Sequence, residues 1–213
     1  MTRAFGRLAI ILTLALVATS GIAQADTFKF KPTPSDLGDL DHTLAYQWGV
    51  TGFVLPTGHE VVSATLKYDD IYNWQNERFY LYTRLFDTWV NVPPPYATDN
   101  TYANGRVTTY RDNEGAGDYF SGYGGVSFGP WTGTLGGPGN AIDLTYNITD
   151  PTALSWLGDG SFAFGIDPDC HFYNHYVQLQ IETAPTTVPE PASLLLLGAG
   201  LIGVGRTLRR RMR

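Results

Sequence analysis

The residues with the most chemical potential lie in one block, Gly165-Ile166-Asp167-Pro168-Asp169-Cys170-His171-Phe172-Tyr173-Asn174. Asp167 and Asp169 flank a proline that stiffens the turn, and carboxylates so spaced at a strand end can supply oxygen ligands to Ca²⁺. That ion takes about six to eight oxygens, so Asp69, Asp70 and Asp159 are expected to complete the shell if their loops meet. The competing reading is that these aspartates hydrogen-bond their own turns. Cys170 and His171 are adjacent, and adjacent residues of an extended strand point to opposite faces, so they do not chelate one ion. His171 and His175 would share a face about 13 Å apart, beyond one coordination sphere. A Cys-His dyad needs His42 or His59 to fold near Cys170; a buried thiol with ordinary histidines is the simpler expectation.

Two further patterns invite chemistry. Gly125-Val126-Ser127-Phe128-Gly129 matches the G-x-S-x-G nucleophile elbow of a secreted hydrolase. That chemistry needs the serine on a sharp turn between a strand and a helix, whereas Pro130 and Trp131 follow here in a glycine-rich stretch. Five tryptophans, Trp48, Trp74, Trp89, Trp131 and Trp156, offer flat faces on which sugar rings can stack. Aromatics also fill sandwich cores. Trp89 and Trp131, beside Pro- and Gly-rich loops, are the two expected to be exposed, and they are the carbohydrate candidates.

The elements that would position these groups are strands. Val61–Tyr68 and Arg78–Phe86 are rich in aromatic and β-branched residues and bounded by turn formers. Ile142, Leu144, Tyr146 and Ile148 alternate with polar residues, as do Phe162, Phe164 and Ile166, and then Val177, Leu179 and Ile181. Such a period of two marks half-buried strands with one face in a core and the other wet. Asp150-Pro151 before Ala153, Leu154, Trp156 and Leu157 reads as an N-cap, an N1 proline and a short helix. Ten glycines between Gly115 and Asn140 predict long loops around one short strand. The expected architecture is all-β, an antiparallel β-sandwich, jelly-roll-like, of about eight strands.

The two ends carry addresses. Arg3 and Arg7, the apolar run Leu8–Ala18 and Ala23-Gln24-Ala25 form a three-part signal peptide over residues 1–25, with cleavage between Ala25 and Asp26. At the other end, Val188-Pro189-Glu190-Pro191 precedes the uncharged stretch Ala192–Gly205 and a basic cluster, Arg206, Arg209, Arg210, Arg211 and Arg213. The cluster marks the cytoplasmic side of a membrane. Fourteen helical residues reach about 21 Å against a hydrocarbon core of about 30 Å, so the expected C-terminal transmembrane helix is short. Within it, Gly198-Ala199-Gly200-Leu201-Ile202-Gly203 copies a dinucleotide fingerprint without the preceding strand or the downstream acid that such a site needs.

The order Pro-Glu-Pro, apolar helix, arginine cluster over residues 188–213 resembles the PEP-CTERM sorting signal of Gram-negative bacteria. The resemblance implies an exosortase partner, a membrane cysteine protease that cuts near Pro189–Pro191. It also implies transient anchoring in the inner membrane, followed by release to the cell surface or the exopolysaccharide matrix. A plain tail anchor would explain the helix and the arginines but not the Pro-Glu-Pro. The block from Gly165 to Asn174, with Leu66-Lys67-Tyr68-Asp69-Asp70-Ile71-Tyr72-Asn73-Trp74, resembles one subgroup of PEP-CTERM proteins; that likeness implies a shared fold and no activity.

Composition narrows what remains. The chain has 213 residues, 16% of them charged, and one cysteine. A single cysteine excludes an internal disulfide and any zinc site built on two thiolates. Residues 26–187, the expected mature domain, hold seven Lys and Arg against nineteen Asp and Glu, a net charge of −12. That surface repels phosphate backbones, which excludes nucleic acid as a partner and favours divalent cations as bridges to acidic polysaccharide. The leading expectation is an exported, non-enzymatic envelope or matrix protein; the alternatives are a calcium-dependent carbohydrate-binding module and a secreted hydrolase.

Overall fold

A computed structural model describes residues 25–74, 80–92, 98–102, 105–112, 117–133 and 136–186, with residues 198–200, 202 and 209 beyond them. Two compact units divide the chain: Ala25–Ala184, and Met1–Gln24 with Pro185–Arg213. In the second unit, residues 198–200, 202 and 209 are helical. The first unit carries β1 (Asp26–Phe30), β2 (Leu44–Thr51), β3 (His59–Asn73), β4 (Tyr80–Phe86), β5 (Thr98–Tyr102) and β6 (Gly105–Arg111). There follow β7 (Val126–Thr132), β8 (Ile142–Ile148), helix α1 (Pro151–Gly158), β9 (Ser161–Pro168), β10 (Phe172–Tyr173) and β11 (Tyr176–Pro185).

One sheet runs β1-β11-β3, with β8 and β10 both pairing β3; the other runs β5-β6-β2-β9-β4-β7. Setting aside β5, β6 and β10 leaves β1-β11-β3-β8 against β2-β9-β4-β7. First strand pairs with last, second with ninth, third with eighth and fourth with seventh, the nested antiparallel wrapping of a jelly roll. The all-β sandwich expected from the sequence is therefore the fold. Strands exceed the expected eight because the β5–β6 hairpin extends one sheet and β10 adds two residues at the end of β3.

Alternation decides which side chains meet between the sheets. Tyr46, Trp48 and Val50 of β2, Leu66, Tyr68 and Ile71 of β3, and Val177, Leu179 and Ile181 of β11 share one buried cluster with Phe162, Phe164 and Ile166 of β9. Trp48 stacks on Phe164 with centroids 5.6 Å apart. Helix α1 starts as its sequence predicts: the Asp150 carboxylate accepts from the Ala153 N–H at 2.9 Å, Pro151 occupies the first turn, and Ala153 and Leu157 are buried.

β9 departs from its expected half-wet pattern. Every residue from Phe162 to Pro168 is buried, because the outward face is covered by a second cluster of Ala45, Phe86, Val92, Tyr110 and Phe120. Gly165 makes that cover possible. A Cβ at this position would lie 2.7 Å from the Phe120 ring and 2.9 Å from Phe86, closer than carbon atoms pack. Gly165→Ala is expected to lower stability by about 1–3 kcal/mol through overpacking. Gly139→Ala, where a Cβ meets open space, should leave the denaturant midpoint unchanged; equal midpoints for the two variants would show that the Phe120 cover yields freely.

Candidate functional site

The five aspartates expected around calcium fall in three places. Asp159 ends α1, its N–H donating to the Trp156 carbonyl at 3.2 Å, and it lines a groove with Leu55, His59 and Glu60 at the start of β3. Asp69 and Asp70 lie about ten residues further along that strand, roughly 33 Å away at 3.3 Å per residue. Asp167 and Asp169 belong to the other sheet, at the end of β9. One shared calcium shell is therefore not formed.

Asp167 points to the covered side of β9. Its Oδ2 accepts from the Tyr119 N–H at 2.7 Å, while its buried Oδ1 has no hydrogen-bond partner among the described residues. Burial pushes this carboxyl up to about 8; the Tyr119 N–H pulls the other way, and Asp112, Asp169 and Asp118 add repulsion. Asp118 is the neutralised member of the group, its carboxylate paired with the Arg84 guanidinium and accepting from the Phe120 N–H at 3.0 Å. Asp169 is also raised, by burial first and then by the charges of Asp112 and Asp118.

Asp69 and Asp70 sit at the bulge of β3 between Tyr68 and Ile71, where Asp70 takes a positive φ of 48°. Lys67 Nζ lies 2.6 Å from Asp69 and 2.8 Å from Asp143, and His175 Nδ1 lies 3.0 Å from Asp70. The hydrogen bonds it donates to the Asp143 and Asp69 carboxylates hold the Lys67 ammonium well above its usual range. With a lysine between the carboxylates, this cluster is an ion-pair network at the surface.

The third cluster has no spacing signature in the sequence. The pairing Leu40↔Phe172, with N–H to carbonyl distances of 3.1 and 3.0 Å in the two directions, sets Asp41-His42 across from His171. His42 Nδ1 and His171 Nδ1 are 3.0 Å apart, so one ring donates to the other. Asp41 Oδ1 lies 3.5 Å from His42 Nδ1 and 3.6 Å from His171 Nε2, and it accepts from the Thr43 N–H and hydroxyl at 2.8 and 2.9 Å. Burial raises the Asp41 carboxyl, but the Thr43 hydrogen bonds and the two imidazoles outweigh it and leave the group below its ordinary value. The three side chains are 29–39% exposed.

Cys170 is buried, and its thiol donates to Asn73 Oδ1 at 3.2 Å, while the His171 carbonyl accepts from the Trp74 N–H at 3.0 Å. The thiol and the neighbouring imidazole thus face different partners. Ser127 lies within strand β7, its hydroxyl accepting from the Gly129 N–H at 3.1 Å. The strand-to-helix turn that a nucleophile elbow requires is replaced by a β-strand pairing β4.

Trp89 and Trp131, the two tryptophans expected to be exposed, are both half-buried. Trp89 carries the Arg106 guanidinium 4.2 Å from its ring centre and packs against the backbone of Gly49; Trp131 lies against Phe172. The exposed tryptophan is Trp74, at 56%, its ring 5.6 Å from His171 in an edge contact. Exposure here depends on which loop covers which ring, and no local sequence signal carries that.

Of the expected cleavage signal, Ala23 lies outside the described residues; Ala25 is exposed, and Asp26 is the first residue of β1, opposite Thr183. Val188, Pro189, Glu190 and Pro191 and most of the basic cluster also lie outside them, with Arg209 helical. Among the described residues no helix is long and apolar enough to cross a membrane; the expected span Ala192–Gly205 is described only at 198–200 and 202. The family model of the PEP-CTERM protein-sorting motif matches residues 187–211. This motif marks an exported protein that is sorted via the membrane of Gram-negative bacteria, with an exosortase as the processing partner. The match covers the tail alone, and no curated protein matches the chain.

Asp167 supplies a pH test. Its folded-state pKa is raised above the ordinary carboxyl value, so the folded protein holds the proton more tightly than the unfolded chain. That contribution is fully present below about pH 4 and is lost as pH rises to about 8. Melting temperatures from pH 4 to 9 should fall across this window in the natural protein. The isosteric Asp167→Asn should remove the larger part of the slope and melt higher than the natural chain at pH 9; parallel curves would exclude a neutral Asp167.

Proposed function

We propose that this chain is a non-enzymatic envelope or matrix protein, whose jelly-roll domain is delivered by an exosortase to the cell surface or the exopolysaccharide. The observation that carries the reading is the sorting motif at residues 187–211, directly after the last strand, β11, ends at Pro185. The subgroup likeness gains support from packing: its two blocks touch, with Phe172 paired to Asn73, Tyr173 to Tyr72 and the Cys170 thiol on Asn73. Mass spectrometry of the protein recovered from the surface of its native host should give a chain that begins at Asp26 and ends near Pro189–Pro191. Surface protein that retains Arg206–Arg213 would overturn exosortase processing.

A second reading, a carbohydrate-binding surface with or without calcium, is favoured by the exposed faces of Trp74 and Tyr80. Sugar–aromatic stacking needs such uncovered rings. Full-length protein should bind a host polysaccharide saturably, and Trp74→Ala should weaken binding at least tenfold while Trp89→Phe leaves it intact. Affinity electrophoresis in calcium and in chelator measures both; unchanged binding by Trp74→Ala would remove the reading, and equal binding in the two buffers would remove calcium from it.

A further inference from the structure

We propose that His42, His171 and Asp41 form a binding site for a divalent transition-metal ion of the zinc class, with one coordination position open to solvent. The proposal stands on geometry and is independent of how the protein is sorted. One donor atom from each of the three residues lies within 4.8 Å of the others. Two ligands held 2.0–2.1 Å from a tetrahedral Zn²⁺ stand about 3.3 Å apart. The Nδ1–Nδ1 distance of 3.0 Å and the Oδ1–Nδ1 distance of 3.5 Å bracket that separation. An ion between the imidazoles replaces the proton that otherwise joins them: the donor ring moves its proton from Nδ1 to Nε2, and both Nδ1 lone pairs become ligands.

The donor set selects the metal class. Two imidazole nitrogens with one carboxylate suit zinc, copper or nickel, whereas calcium takes a shell of oxygens. Thr43 donates two hydrogen bonds to Asp41 Oδ1, which fixes the carboxylate beside the imidazoles. Three protein ligands at 29–39% exposure leave a fourth position for water or an external oxygen donor.

The scaffold holds the ligands before any ion arrives. Both hydrogen bonds of the Leu40↔Phe172 bridge flank them, and the Trp74 N–H fixes the His171 carbonyl. Leu40 and Phe172 are wholly buried, so the two ligand segments rest on the main core. The contrast with Asp69, Asp70 and His175 is informative. That trio also meets the distance condition, but the Lys67 ammonium already sits 2.6 Å from Asp69. Around Asp41, the ion-pair partners among the described residues are the two histidines.

The test uses the full chain, purified in detergent without a histidine tag and stripped with chelator. Isothermal titration with Zn²⁺ at pH 7.5 should show one ion per chain. His42→Ala and His171→Ala should each weaken binding by about a hundredfold or more, at the upper end of what disturbing a metal's ligand sphere costs. His59→Ala and His175→Ala should bind as the natural protein does. Absence of saturable binding in a folded sample, binding that survives the His42→Ala/His171→Ala double substitution, or loss in His175→Ala would overturn the site. A measurement on the unaltered protein guards against misfolded variants: Co²⁺ loaded at one equivalent should give visible d–d absorption and an X-ray absorption signature of two imidazoles. A spectrum of hydrated Co²⁺ would overturn the proposal without reference to any variant.

Discussion

The position of β9 constrains most of this molecule. It lies between β2 and β4 in the middle of the larger sheet. Its inward face, Phe162, Phe164 and Ile166, fills the main cluster, and its outward face meets Phe86 and Phe120 across Gly165. A strand buried on both sides cannot shift register without moving every side chain to the wrong face. The chain that leaves it is therefore aimed: past Pro168 it carries Cys170 and His171 across to β10, which pairs with β3 in the opposite sheet. The block from Asp167 to Tyr173 thus ties the two sheets together at one end of the sandwich, and its chemistry-bearing residues are fixed by packing on both sides.

A domain with twelve more acidic than basic residues has to place its carboxylates without unfolding itself. Three solutions occur. Asp118 is neutralised by Arg84. Asp69 and Asp143 share Lys67, a solvated arrangement whose net worth is small. Asp167 has no cation in contact among the described residues and is accommodated by keeping its proton, because burial and three neighbouring carboxylates make ionisation the costlier state. Asp41 takes none of these routes. Hydrogen bonds from Thr43 and the proximity of two imidazoles hold its carboxyl below the ordinary value against the opposing pull of burial.

Much of the fold was legible in sequence because a period of two is a local property. β8 and β11 read correctly from alternation, and the cap of α1 from Asp150-Pro151. β2, with Leu44-Ala45-Tyr46-Gln47-Trp48-Gly49-Val50, was not legible: a strand buried on both faces has no polar face to alternate with. β9 was found but its outer face was misjudged, since the cover comes from Phe120, 45 positions earlier in the chain. The candidate site was less legible still. His42 and His171 are 129 residues apart, and the Leu40↔Phe172 bridge sets them side by side. Local spacing can reveal an Asp-Pro-Asp turn, but ligand sets assembled by tertiary pairing have no local period.

The wrapping also separates the two ends of the sandwich by role. Asp26, where the chain enters the domain, pairs with Thr183, close to where it leaves, and His59 at the start of β3 lies beside both. The far end of β3 reaches Asn73 and Trp74, in hydrogen-bond contact with Cys170 and His171. Fifteen residues of strand span about 45 Å at 3.3 Å each. The chain termini of the domain and the His42–His171 pair therefore occupy opposite ends. The named strands begin at Asp26 and end at Pro185, so a cut before the first or after the second would remove no residue of any of them. Within the sandwich, the histidine pair and the exposed ring of Trp74 are thus held by the end of β3 remote from Asp26 and Thr183, so their geometry is set by the core beneath Leu40 and Phe172 and not by the segments that enter and leave the domain.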